Sequence, residues 1–368
     1  MNFVQEPIPA VASRRPLARV VCGTGKGKAV APELIGGPGW RETAGHSLNE
    51  VCRPIRKGLA RTERVMSRMV RESSHLIRPM ALYLFRRPGK RIRAALALMS
   101  ARAGQADPEK AAELGAVLEM VHLASLIHDD ILDGATMRRG QRSLHEVWGV
   151  NQSVLMGDYL LAWNFCILAD RFPLSVMQVL THAAREACDG EIEETAVAFR
   201  PDITEEHHLG IVARKTAALT AAACAAGGML AGVSKSVVGE LAAFGRAFGM
   251  AYQVVDDLLD FRGTEAGCGK PVGRDLVAGN FTLPVIRLCR ILEGHPGRRL
   301  PEMFTRSSLA NGGASRIVQL VRENGCLEYS RDRAESFTRV AMEAADRIPD
   351  KAGGPLKRLA LGALERER

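Results

Sequence analysis

Two short acidic clusters interrupt otherwise apolar segments of this chain, and they restrict its fold more than any other feature. The first is His128-Asp129-Asp130-Ile131-Leu132-Asp133. Far downstream, Asp256-Asp257-Leu258-Leu259-Asp260 repeats the spacing, preceded by Gln253 and surrounded by Phe248, Tyr252, Val254 and Val255. In a helix, residues four apart share a face, so Asp129 stands beside Asp133. Such carboxylates repel unless a cation lies between them, and unpaired acids on apolar helices are costly to bury. Two copies therefore predict two helices facing each other across a cavity with metal between them. Hard oxygen ligands suit magnesium, which holds few carboxylates and completes its shell with water and phosphate. A lone cluster could be a solvated acidic turn; the repeat argues against that reading.

The chain between and around the clusters reads as helical. Aromatic residues make up only 5% of its 368 residues, while Ala and Leu are abundant, a composition that suits close-packed helices more than sheets. From about Ser47 onward, helical patterns follow one another with breaks near Pro88-Gly89, Gly104 to Pro108, Gly140 to Ser143, Phe172-Pro173, Arg200-Pro201, Gly263 to Gly273, Gly294 to Pro301 and Asn311 to Gly313. No convincing alternation lies between them. The expectation is one all-α catalytic domain over residues 46–368, with roughly ten or more helices. Residues 1–45, rich in Gly, Pro, Arg and Val without periodicity, read as a disordered extension. The uncharged stretch from Thr216 to Ser234 is mostly Ala, Gly and Thr, which favours a buried helix over a transmembrane span. The eight cysteines form no C-x-x-C pair, and the start lacks an apolar secretory segment. Both readings fit a reducing cytoplasm.

A net charge of +9 admits nucleic acid, anionic lipid or a phosphorylated substrate as partner. The positive residues fall in separate clusters, which fits a site assembled from several helices better than a nucleic-acid arm. Gly89-Lys90-Arg91-Ile92-Arg93 follows Pro88 at a helix start, where backbone amides and basic side chains could both meet phosphate. Arg138-Arg139, Lys215-Thr216 and Gly269-Lys270 add further positions. Singly each is a solvated surface charge; together with two magnesium-type clusters they describe a site for two diphosphates.

The ordered set of these motifs resembles the trans-isoprenyl diphosphate synthases. His122 through Asp133 and on to Arg138-Arg139-Gly140 looks like the family's first aspartate-rich motif, and Tyr252-Gln253 through Asp260 like its second. Gly269-Lys270-Pro271, Gly273, Asp275 and Thr282-Leu283-Pro284 match the stretch after the second motif, and Gly157-Asp158-Tyr159-Leu160-Leu161 and Gly190-Glu191-Ile192 also fit. The likeness runs from about residue 50 to the C-terminus and implies the all-α isoprenoid synthase fold around a central apolar cavity. It further implies elongation of an allylic diphosphate by isopentenyl diphosphate. Asp129, Asp133 and Asp256, with Asp130 and Asp260 nearby, would hold magnesium against the allylic diphosphate. Arg138, Lys215 and Lys270 would stabilise the leaving pyrophosphate, supported by Thr216, Gln253 and Asp257. Lys90, Arg93, His122 and Arg139 would clamp isopentenyl diphosphate. Three positions depart from the commonest pattern: Gly134 where an acid is frequent, Glu194 where Gln is usual, and Asn280 where Lys is common.

Product length depends on the helix that carries the first cluster. Each turn toward its start deepens the cavity by about 5.4 Å. Ala124 and Ser125 lie about one turn before Asp129, and Val121 lies two turns before. A Phe or Tyr at Ala124 or Ser125 would form a floor. Both are small, so a product longer than farnesyl, and beyond geranylgeranyl, is expected. A geranylgeranyl diphosphate synthase is the alternative. A class I terpene cyclase shares the fold but needs no isopentenyl diphosphate clamp. A non-catalytic subunit would commonly lose the acidic motifs. The resemblance implies a homodimer; a small accessory subunit is a further option.

Overall fold

A computed structural model describes residues 48–87, 89–262, 273–293 and 303–365. The extension assigned to residues 1–45, together with Pro88, Cys22, Cys268 and the Gly269-Lys270-Pro271 motif, lies outside the described residues. The described chain is almost wholly helical. Its principal helices are α1 (Arg56–Glu72), α2 (Arg78–Phe85), α3 (Ile92–Ser100), α4 (Pro108–Leu132), α5 (Val150–Arg171), α6 (Leu174–Ala196), α7 (Glu205–Val212), α8 (Ala218–Leu230), α9 (Lys235–Arg262), α10 (Leu283–Glu293), α11 (Ala314–Glu323), α12 (Cys326–Asp346) and α13 (Asp350–Glu365). Among the described residues the one sheet is a hairpin pairing Met137–Arg138 with Gln141–Arg142.

Helix α4 is the centre of the fold. Asp107 caps its start by accepting hydrogen bonds from the Glu109 and Lys110 amides, and Pro108 occupies the first turn, where no amide partner is needed. The helix packs against α1, α3, α5 and α8, so apolar residues are needed on most of its surface. That is why its sequence shows little amphipathic bias. The main core joins Leu96, Met99, Leu114 and Leu118 to Phe244 and Phe248 of α9 and Leu356 of α13, all at most 1% exposed. Burying each large side chain of this kind contributes about 1.5–3 kcal/mol.

The Ala- and Gly-rich segment read as a buried helix is α8, whose residues from Ala218 to Gly228 are all buried. Its small residues permit close approach: a Cβ on Gly227 would lie 2.4 Å from the Ala97 carbonyl oxygen of α3, and one on Gly245 would lie 2.4 Å from that of Thr220. Pro108–Leu132 and Glu205–Leu230 are each long and apolar enough to cross a membrane, but 67% of the relevant window in each is buried within the fold.

Several boundaries come from glycines that the helical pattern ran through. Gly149, Gly232 and Gly325 take φ of 85°, 69° and 68°, a left-handed conformation that ends one helix and starts the next. The expected break at Gly140 to Ser143 is the hairpin's second half; Arg139 and Gly140, both at positive φ, form its two-residue turn.

The start of α3 departs from expectation. Its amides are not open to phosphate, because Glu119 Oε1 of α4 accepts from the Arg93 and Ala94 amides, each at 3.1 Å. Arg91, at φ 52°, turns inward and pairs with Glu63 at 2.7 Å and Glu119 at 3.6 Å. Arg91 and Glu119 are 5% and 4% exposed, so this is an interior ion cluster tying α1, α3 and α4 together. Removing one partner strands the other's charge in the interior. Glu119→Ala is expected to lower stability by roughly 3–5 kcal/mol in denaturant unfolding; a loss within about 0.5 kcal/mol, typical of surface positions, would contradict this account.

Candidate active site

The last two turns of α4 carry the first aspartate cluster, and its three carboxylates have different surroundings. Asp130 is buried and accepts from Arg138 Nε at 2.6 Å, so the hairpin that follows α4 folds back onto it. Asp129 is partly buried and Asp133, at the helix end, is exposed. Burial, then the charge of Glu191, pushes Asp129 up to about 7, against the opposing pull of Lys215 and Arg138. Asp133 is raised for the same reasons, burial first. Gly134 takes φ 61°, a conformation that a glycine adopts without strain.

Lys215 and Thr216 arrive on a π-helical turn, Ala213–Ala217, between α7 and α8. Such turns carry one extra residue and recur at functional sites. Gly190 of α6 makes room for the turn, since a Cβ there would lie 2.6 Å from the Lys215 amide nitrogen. The Lys215 ammonium is held by Glu191 at 2.8 Å and by Glu194. Thr216 Oγ1 donates to Gln253 Oε1 at 2.8 Å, and Gln253 Nε2 donates to Asp257 Oδ1 at 2.8 Å.

The second cluster divides in the same way. Asp256 is exposed and Asp260 partly buried, whereas Asp257 is 5% exposed and engaged inward. Burial, then the charge of Asp275, raises Asp257 well above the usual carboxylate range. Asp260 Oδ2 accepts from the Asp275 amide at 3.1 Å, and its Oδ1 lies 3.8 Å from Arg274 Nε. Burial and the neighbouring Asp260 push Asp275 up to about 7. Glu194 lies between the clusters: its pKa is raised by burial and also by the charge of Asp133, and it in turn raises Asp257 and Asp275. Its carboxylate, at the position where Gln is usual, is therefore part of the site.

The basic residues gather near His122, two turns before Asp129 on α4. Gly89 lets the chain pass the Arg139 guanidinium, since a Cβ there would lie 2.6 Å from it. Burial first, then the charges of Arg93, Arg139, Arg138 and Arg91, lowers the His122 pKa well below its ordinary value and keeps the ring neutral. Arg93 in turn feels the charges of Glu119 and Asp129. Arg93, His122, Arg138 and Arg139 are thus brought to one region, Lys90 follows Gly89, which lies against Arg139, and Lys270 lies outside the described residues. Of the chain-length positions, Ser125 is exposed, Val121 packs at the edge of the main core, and Ala124 is fully buried among Met66, Met120 and Leu160.

Among the described residues, no three His, Cys, Asp or Glu side chains converge closely enough to form a ready-made metal cage. The donor set fits an ion that takes much of its shell from water and substrate oxygen, as magnesium does. The raised Asp129, Asp133 and Glu194 fit it too, because burial first, and the nearby charge of Glu191, disfavour their ionised forms more than Lys215 favours them.

Comparison with known proteins identifies the family. Residues 74–321 match the family described as Polyprenyl synthetase. The heptaprenyl diphosphate synthase component 2 of Geobacillus stearothermophilus is 34% identical over 304 residues, 82% of this chain and 94% of that protein. The octaprenyl diphosphate synthase of Escherichia coli is 33% identical over 279 residues, 75% and 85% of the two chains. Among solved structures, the polyprenyl synthase of Caulobacter crescentus, complexed with calcium and isoprenyl diphosphate, superposes with a TM-score of 0.81 at 29% identity, covering 89% of this chain and all of that one. The Rhodobacter capsulatus decaprenyl diphosphate synthase also gives 0.81, at 31% identity, covering 87% and 99%. This chain belongs to the polyprenyl synthetase family.

Proposed function

We propose that the chain adds isopentenyl diphosphate to an allylic diphosphate, repeatedly and head to tail, to give an all-trans polyprenyl diphosphate longer than geranylgeranyl. The observation that carries this reading is the pairing of a carboxylate-rich half, around Asp129, Asp133 and Asp256, with an arginine-rich half around His122. Relatives named as heptaprenyl, octaprenyl and decaprenyl synthases support the product class and disfavour the geranylgeranyl and cyclase alternatives.

Asp129, Asp133 and Asp256 would hold magnesium, with Asp130 and Asp260 behind them. Magnesium supplies charge neutralisation for the departing pyrophosphate. Arg138 and Lys215 face the same charge, and fixed cations in a water-poor site stabilise it more than solvent would. Before substrate arrives, Glu191 and Glu194 hold Lys215 in place. Lys90, Arg93 and Arg139 bind the second diphosphate through side chains alone, because Glu119 occupies the α3 amides. Neutral His122 donates a hydrogen bond without adding charge. Loss of pyrophosphate leaves an allylic cation, which the isopentenyl double bond attacks; a proton then leaves to the pyrophosphate. Exposed Val150, Val154, Leu155 and Phe165 along α5 favour a homodimer through that helix. The component 2 name of one relative supports testing for a small accessory subunit.

Incubation of the purified chain with magnesium, labelled isopentenyl diphosphate and several allylic primers is expected to give labelled products longer than geranylgeranyl. Asp129→Ala and Asp256→Ala should each cut turnover by on the order of 10²–10³-fold. Turnover that survives both changes would overturn the reading, and activity that appears only with a partner protein would identify an accessory subunit.

On this reading Ser125, exposed and one turn before Asp129, sets product length. Ser125→Phe is expected to shorten the products while leaving the fold intact. Ala124→Phe overfills a closed core and should cost at least about 1–3 kcal/mol. Unchanged product lengths from Ser125→Phe would remove Ser125 from the tunnel wall.

A further inference from the structure

Behind the second aspartate cluster lies a polar arrangement that the reaction above does not use. His208 of α7, Asp257 of α9 and Thr282 before α10 are 6%, 5% and 7% exposed. Nε2 of His208, Oδ2 of Asp257 and Oγ1 of Thr282 are buried atoms without a hydrogen-bonding partner among the described residues. His208 Nε2 lies 3.8 Å from Asp257 Oδ2, beyond direct hydrogen-bonding reach. His208 and Thr282 line a cavity of about 20 Å³ that Glu194 and Asn280 also border. That volume is enough for one water.

Buried polar atoms are normally paired, and here two of the unpaired atoms belong to residues of the cavity wall while the third, Asp257 Oδ2, lies next to His208 Nε2. A single water can donate twice and accept twice, which is enough for all three. Burial pushes His208 down to about 4, so its ring is neutral and offers one donor and one acceptor nitrogen. The other oxygen of Asp257 is already taken by Gln253, which is in turn fixed by Thr216 beside Lys215.

We propose that this cavity binds one ordered water, through which His208 and Thr282 fix the Asp257 carboxyl and thereby orient the α9 turn that bears Asp256 and Asp260. The water closes a chain of fixed side chains running from Thr216 through Gln253 to Asp257. His208 is then a positioning residue: it touches neither diphosphate and acts through Asp257. Its effect on metal affinity rests on the assignment of Asp256 to magnesium; the water itself does not.

A crystal structure of the full chain with magnesium, at a resolution that shows internal waters, is expected to contain one water within hydrogen-bonding distance of all three atoms. His208→Phe should raise the magnesium concentration needed for half-maximal activity by about 10-fold, the lower end of the range for residues that support metal ligands. Titration of magnesium binding without substrate should move in parallel, and the KM for isopentenyl diphosphate should not. His208→Gln should restore most of the magnesium affinity. Thr282→Val should give a smaller shift in the same direction, and it carries the test if His208→Phe does not fold. A dry cavity overturns the proposal, as does loss of stability without any change in magnesium affinity. Absence of isopentenyl incorporation by the unaltered chain would instead overturn the proposed function and leave the water intact.

Discussion

Repulsion among carboxylates is the constraint on which the rest of this structure depends. Helices α4, α6 and α9 bring Asp129, Asp133, Glu191, Glu194 and Asp256 to one end of the fold, with Lys215 and Arg138 as the principal opposing charges near the first cluster. Such a grouping persists only because packing elsewhere over-determines the helix positions. The apolar core around α4 and α9 supplies that packing, and the interior Glu63–Arg91–Glu119 cluster fixes where α3 begins. Each aspartate cluster also splits its labour. One carboxylate of each, Asp130 or Asp257, is turned into the protein and hydrogen-bonded there, which leaves Asp129 or Asp256 the more open.

Close backbone approach is the second requirement, and small residues meet it. Gly190 admits the π turn that presents Lys215, and Gly157 of α5 admits His128, whose Nε2 would lie 2.2 Å from a Cβ at that position. Two motif glycines thus act on the site indirectly, by letting helices approach until the charged residues face one another. A side chain at Gly190 would press on the backbone of the π turn, whereas one at Gly157 would first displace the His128 ring.

Much of this was legible in the sequence because it rests on spacing. The repeated aspartate pattern placed both clusters on helices, and the alanine-rich run from Thr216 marked a buried one. Where the reading fell short, the signal was absent or ambiguous. Arg91 sat in a cluster of basic residues and looked like its neighbours; only the left-handed turn at that residue sends it inward. Glu119 was visible as an acid on an apolar helix three residues before His122, and that anomaly could have identified it as a buried cap. The π turn left no trace, because shifting one hydrogen bond changes no residue pattern. His208 was equally silent, since its role depends on Asp257 and Thr282, which are remote in sequence.

The two halves of the site differ in bare charge, and this bears on how two like-charged substrates can be told apart. Around His122 lie Arg93 and Arg139, whose positive charges can meet a diphosphate directly, while Arg91 is engaged by Glu63 and Glu119. Around Asp129 it supplies mostly negative charge, which repels a diphosphate until a divalent ion intervenes. On the proposed reading, the half that needs metal is the half where a carbon–oxygen bond must break, so leaving-group activation is confined to one substrate. Isopentenyl diphosphate, held by side chains without a metal ion on that reading, keeps its diphosphate. Asn280 and Glu194 sharpen the contrast: where the family's commonest pattern offers Lys and Gln, this chain offers a neutral amide and a carboxylate. On the proposed reading its allylic half leans more heavily on the ion than on the protein.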